Sequence, residues 1–224
     1  MIEIVSATRL TDAAFWKSSA LGISLQRLSR DRRIRCHIVF QNSRGLPDVY
    51  NARLAAAREG EVLVFVHDDV WIDDYFLSTR ILEATQRFDV IGVAGNRRSL
   101  PRQPGWGFCD ENFTQDDPAN LSGAVAHARG PFGPIAYFGE TPAACELLDG
   151  VLIAVNSDAL RERDVAFDSR FDFHFYDLDF CRSARQKGLR VGTWPIAITH
   201  QSMGAFRSEA WERKYSEYCA KWWP

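Results

Sequence analysis

Five apolar residues, Val62-Leu63-Val64-Phe65-Val66, run straight into His67-Asp68-Asp69. A run so short and so apolar reads as a strand buried on both faces, the kind found in parallel sheets covered by helices. The carboxylates then fall at the strand's carboxyl end, the edge at which open α/β sheets bind ligands. Adjacent acids there suit a divalent cation, and through it a diphosphate. The alternative for Asp68, Asp69, Asp73 and Asp74 is that they are turn and helix-cap residues, and this stretch alone does not choose.

The flanking chain supports a sheet of that kind. Residues 2–7 make a first strand leading into Thr8-Arg9, and Leu21, Leu25 and Leu28 line one face of a helix over 13–30. A second strand over 34–40 ends at Gln41-Asn42. Asp48 is the expected N-cap of a helix over 49–59, with Gly60 as its stop. Leu77, Ile81, Ala84 and Phe88 recur at helical spacing, and a fourth strand covers 90–95. The alternation predicts an α/β fold with a mixed, mostly parallel sheet flanked by helices.

From 96 to 134 the chain is rich in proline and glycine, as a binding loop or lid would be. Arg97, Arg98 and Arg102 open it, either as solvated turn residues or as a clamp for an anion. Short strands are expected over 123–128 and 135–138, and a longer apolar one over 147–155. Asn156-Ser157-Asp158 caps a short helix, and Phe171 to Asp179 leads into another that Gly188 ends. A strand over 191–199, broken by Pro195, reads as an edge strand and delivers His200, followed by Gln201-Ser202-Met203-Gly204. Ser208 caps a last helix whose stripe of Trp211, Tyr215, Tyr218 and Trp222 is most simply a packing face, with a peripheral membrane or partner contact as the alternative.

The totals exclude some functions. With 224 residues the chain holds one full-sized domain, read as halves over 1–95 and 96–205 with a terminal helix over 206–224. A net charge of −2 supplies no basic field, so nucleic acid is not the main partner. The five cysteines form no CxxC pair and are odd in number, so free thiols in a reducing cytoplasm are expected. Glu3 stands where a secretory leader would be basic, and no apolar run approaches the ~20 residues that span a bilayer.

Carboxylates recur where local structure does not demand them: Asp68-Asp69, Asp172, and the pair Asp177 and Asp179. One of the last two explains a helix cap, but not both. The order of these features resembles the inverting glycosyltransferases of family two, which have the GT-A fold, and most closely the branch named after a streptomycin-biosynthesis protein. It runs from strand-Asp-Asp to Leu148-Asp149-Gly150-Val151, then Tyr176-Asp177-Leu178-Asp179, Gly188 and His200. The resemblance covers about 2–205. It implies a nucleotide-sugar donor, a hydroxyl acceptor and a divalent cation, Mn²⁺ or Mg²⁺. Residue by residue, it implies that Asp69 and His200 hold the metal and that Asp68 helps hold the ribose or the metal's waters. It makes Asp177 the base, and it places Thr8, Asn51 and Arg53 on the donor side. His67 and Tyr176 stand where the family has acids, and Gln41-Asn42 replaces the acid that reads the nucleobase.

The chemistry fits these residue types independently. Inversion needs a base for the acceptor hydroxyl and a cation for the departing diphosphate. Imidazole among the ligands favours Mn²⁺ over Mg²⁺. Two other classes compete: a metal-dependent phosphohydrolase using His67-Asp68, and a non-catalytic nucleotide-sugar-binding module. Asp179 is expected to support its helix, Asp172 to lie near an acceptor, and part of 96–134 to close over the donor.

Overall fold

The computed structural model describes residues 1–202 and 206–224; Met203 and Gly204, in the segment after His200, lie outside the described residues. Three strands, β1 (Ile2–Ala7), β2 (Ile34–Val39) and β3 (Val62–Val66), run parallel in the order β2-β1-β3. All of β3 is buried. Its side chains alternate between two cores, as the two-residue period of a strand requires. Leu63 and Phe65 pack with Tyr50 and Phe167 on one face, while Val62, Val64 and Val66 pack with Leu21, Leu25 and Ile81 on the other.

The stretch 13–30 forms two helices, α1 (Asp12–Ser18) and α2 (Ala20–Arg27), where one is expected. Ser19 divides them: its N–H closes α1 on the Phe15 carbonyl, and its hydroxyl caps α2 by accepting from the Gly22 N–H. α3 (Leu46–Ala55) starts from Gly45 with Pro47 in its first turn. The expected cap, Asp48, instead accepts a bond from the Ser169 hydroxyl, and Gly60 lies in a separate turn at φ 71°.

Beyond β3 come β4 (Val70–Ile72), α4 (Leu77–Ala84), β5 (Val90–Gly92), β6 (Ala94–Asn96), β7 (Leu121–His127) and β8 (Ile135–Gly139). They are followed by β9 (Ala143–Ala144), β10 (Leu147–Leu148), β11 (Leu152–Asn156) and α5 (Ser157–Glu162). The chain ends with α6 (Tyr176–Gln186), β12 (Val191–Thr193), β13 (Ile198–His200) and α7 (Glu209–Trp222). The main sheet has the order β2-β1-β3-β11-β5-β12-β9, with only β11 and β9 running against the rest. The expected mixed, mostly parallel sheet with helices around it is therefore present.

A second sheet, β10-β6-β7-β13-β4 with β8 on β7, shares chain with the first. Three apolar runs that read as single strands are each divided between the two sheets: 90–95 at Val93, 147–155 at Asp149-Gly150-Val151, and 191–199 around Pro195. Neither half of the last is an edge strand, since β12 lies between β5 and β9, and β13 between β7 and β4. Pro195 sits in the break, where its missing N–H costs no ladder bond. Ser208 caps α7 as expected, and Trp211 and Tyr218 are buried against Phe175. All five cysteines are free, and no helix among the described residues is long and apolar enough to cross a membrane.

Candidate functional site

After Val66 the chain leaves the main sheet through His67-Asp68-Asp69 and enters the second as β4, which pairs antiparallel with β13. That crossing brings two distant segments together. The Gln201 N–H donates to the Asp69 carbonyl at 3.1 Å, and His200 Nε2 lies 3.3 Å from Asp69 Oδ1. His67, Asp69 and His200 each offer one ligand atom, all within 4.8 Å of one another. Two imidazoles and a carboxylate so placed fit a divalent cation. The resemblance places Asp69 and His200 here; it treats His67 as a substituted acid, and only the competing phosphohydrolase reading gives His67 a metal.

The hydrogen bonds of His67 settle its tautomer. Burial holds the Tyr176 phenol far above its ordinary pKa, so it keeps its proton. That proton is donated to the Gly150 carbonyl at 2.7 Å. The 2.9 Å contact between His67 Nε2 and the same hydroxyl then requires His67 to donate, which leaves Nδ1 with its lone pair. Burial also pushes the His67 pKa down, favouring the neutral ring that a metal needs. For Asp69, burial raises the pKa but the His200 bond and charge outweigh it, so the carboxyl sits below its usual range. His67 and Tyr176, the two departures from the family pattern, are thus direct partners.

Asp68 turns toward β1. The Thr8 hydroxyl donates to Asp68 Oδ2 at 2.5 Å, and the Asn42 N–H donates to the Thr8 carbonyl, so Thr8, Asp68 and the end of β2 share one edge. Asn51 and Arg53 do not join them. The Asn51 amide clamps the Phe167 backbone from both sides, at 2.7 and 2.9 Å. Arg53 is buried between Glu3 and Glu61 at the amino ends of β1 and β3, the opposite edge of the sheet. Their expected place beside the donor is corrected: both side chains are committed to the scaffold.

Asp177 stands in the first turn of α6, preceded by Phe175 in a left-handed conformation at φ 66°. One carboxylate oxygen accepts from the Gly150 N–H and the other from its neighbour Leu178, both at 2.9 Å. Burial and then the nearby Asp149 carboxylate push its pKa up to about 7. Asp179 points the other way and is fully buried, accepting from Trp222 Nε1 at 2.9 Å and pairing with Lys221 at 2.6 Å. Asp172 is exposed, 4.0 Å from Lys214.

A cavity of about 830 Å³ joins these groups, with His67, His200, Asp177 and Asp149 in its wall beside Trp106 and Phe173. Asp149 and His127 are site residues that the sequence reading passed over. Asp149 lies within the quoted Leu148-Asp149-Gly150 motif, and that was its one signal. The arginines of 96–134 are mostly committed elsewhere. Arg98 pairs with Asp116, Arg102 lies 3.7 Å from Glu111, and Arg97 reaches the Glu140 carbonyl. An anion clamp is not what they form.

A family model described as "Glycosyltransferase like family" matches residues 22–219. No curated protein matches the chain. Among solved structures, S. aureus TarS 1-349 is similar at 13% identity and a TM-score of 0.51, over 89% of this chain and 60% of that one. GalNAc-T7, solved with UDP, GalNAc and Mn²⁺, is similar at 10% identity and a TM-score of 0.54, over 100% of this chain and 48% of that one. The chain spans less than two thirds of either.

Proposed function

The chain belongs to the glycosyltransferase-like family and has the GT-A fold, and on that premise we propose that it transfers a sugar from a nucleotide-sugar donor to an acceptor hydroxyl with inversion. The observation that carries this reading is Asp177. It is an otherwise acidic group raised to about 7, in the same cavity as the cation cluster. A base with its pKa near neutral is ionised often enough to act and basic enough to take a proton.

The acceptor hydroxyl donates to Asp177. As its oxygen attacks the anomeric carbon, Asp177 takes the proton and the bond from that carbon to the diphosphate oxygen breaks on the opposite face. The Gly150 and Leu178 N–H groups hold the carboxylate still during this transfer. Thr8 fixes Asp68 for the donor's ribose or for the ordered water around the cation. Tyr176 orients His67, while Asp69 and His200 complete the ligand set. When bound there, a divalent cation supplies the charge that stabilises the departing nucleoside diphosphate. The nitrogen-rich donor set favours Mn²⁺ over Mg²⁺, and Mn²⁺ is also the ion solved with GalNAc-T7. Placement in the streptomycin-biosynthesis branch rests on motif order alone. The free thiols fit a reducing compartment such as the cytoplasm.

The test begins with a thermal-shift panel of nucleotide sugars with and without Mn²⁺, since a ligand of the native state raises its apparent stability. The stabilising donor is then assayed for nucleoside diphosphate release. Release that depends on added acceptor supports transfer, release without acceptor indicates a hydrolase, and binding without release indicates a binding module.

A further inference from the structure

The cavity has two chemically different ends. At one, His67 and His200 line the cavity and together with Asp69 form the cation cluster. At the other, Trp106, Phe108, Phe138 and Trp211 form the wall. No lysine or arginine is among the described lining residues. The acids there are Asp149, Asp177 and Asp116, and Asp116 is already held by Arg98, Asn96 and Asn120.

Trp106 is fixed in place although its segment has no regular structure. Its indole N–H donates to Asp149 Oδ2 at 2.9 Å, and its carbonyl accepts from Asn96 at 2.9 Å. Its ring meets Phe138 edge-on at 4.8 Å. One carboxylate therefore both steadies the indole and stands beside the Asp177 base. A ring laid against Trp106 lies next to the group that would take its proton.

On the transferase reading, we propose that the aromatic end is the acceptor site and that it selects an uncharged ring, a pyranose or an aryl group, stacked on Trp106. The physical reason is twofold. Aromatic faces bury the apolar face of such a ring, and a few polar groups set its orientation. An acceptor carrying a carboxylate or phosphate at that ring would bring a negative charge into an apolar cavity beside Asp149 and Asp177, with no lysine or arginine among the described lining residues to meet it and with burial holding the lining His67 and His174 toward their neutral form. The donor's own diphosphate would meet its counter-charge at the cation cluster.

The test is binding rather than turnover, with the intact protein, Mn²⁺ and the nucleoside diphosphate that binds best. Saturation-transfer NMR and titration calorimetry are run with the p-nitrophenyl β-D-glucoside, galactoside, mannoside and N-acetylglucosaminide, with methyl β-D-glucoside, and with p-nitrophenyl β-D-glucuronide. The glucuronide differs from its glucoside partner by one carboxylate. At least one neutral glycoside is expected to bind, and its uronide counterpart at least ~10-fold more weakly. Binding of methyl glucoside assigns the stacked ring to the sugar, and binding of aryl glycosides alone assigns it to the aglycone. Trp106→Ala should weaken the neutral ligand by at least ~10-fold while nucleotide affinity stays unchanged, and Trp106→Phe, which keeps a ring, should recover part of the loss. The inference is overturned if the glucuronide binds as well as the glucoside, if no neutral glycoside binds, or if the tryptophan variants bind like the parent. Failure of every nucleoside diphosphate to bind the parent protein would instead sink the transferase reading.

Discussion

At the amino ends of β1 and β3, Glu3 and Glu61 are buried between the guanidinium groups of Arg53 and Arg35. At the carboxyl end of β3, His67 lines a cavity whose described lining holds no lysine or arginine, and the half-buried Asp68 and Asp69 follow it. The first edge cancels its buried charge with guanidinium groups; at the second, among the described residues, Asp68 meets the Thr8 hydroxyl and Asp69 the His200 ring. A buried ion pair is poor evidence of stability, yet removing one partner is costly because the other is left uncompensated. Residues at the first edge therefore behave as scaffold. At the second edge the missing counter-charge is to come from outside, which is what a ligand site needs.

Substitutions on either side of this divide should move different observables. The largest effect is expected for Asp177→Asn, which removes the base from the second edge. Transfer should fall by about 10²–10⁴-fold with donor and Mn²⁺ affinity retained, measured as kcat and by calorimetry. Its melting temperature above pH 7 should hold or rise. The folded pKa of about 7 lies above the unfolded value, so the ionised carboxylate at that pH destabilises the fold.

Arg53→Met tests the first edge. It leaves Glu3 buried without a partner and should lower unfolding free energy by about 3 kcal/mol, read by urea denaturation, with activity per folded molecule unchanged. Loss of activity beyond the unfolded fraction would return Arg53 to the donor side. His200→Ala should weaken Mn²⁺ binding by at least ~10-fold, measured by electron paramagnetic resonance, with little change in stability.

The smallest effect concerns pH. Because Asp177 acts ionised, kcat/KM should rise as pH increases through about 7. Asp149→Asn removes a neighbouring negative charge, so the midpoint should move down, by up to about one unit. A midpoint that stays put would mean that burial alone sets the Asp177 pKa.

The first edge was harder to read in the sequence than the second. His67-Asp68-Asp69 announces itself because three polar groups end a fully apolar run, and the strand order that carries them follows from alternation. Arg53, Glu3 and Glu61 are single charges in three separate elements, and nothing local says that they meet. The broken strands escaped for a related reason. Val90 to Gly95 is apolar throughout, and apolarity does not tell which sheet a residue joins. Ser19 was legible in principle, since a serine between two apolar-faced segments is a good cap, but helical spacing continues across it. Asp177 and Asp179 were separable because two positions along a helix point to different sides, and the structure turns them to the cavity and to α7 respectively.

Gly150 shows what such a site hides from mutagenesis. A methyl group at this position would stand 2.5 Å from the Tyr176 hydroxyl oxygen, so the residue is held to glycine by crowding. Its N–H binds the Asp177 carboxylate and its carbonyl receives the Tyr176 proton, which in turn fixes His67. One residue with no side chain therefore braces both the base and the cation cluster. Gly150 contributes only main-chain atoms to the two contacts, so no side-chain exchange at position 150 deletes either one, and exchanging Tyr176 or Asp177 removes the braced group together with its contact. Dissecting them calls for backbone chemistry, an ester in place of the amide, rather than a change of residue.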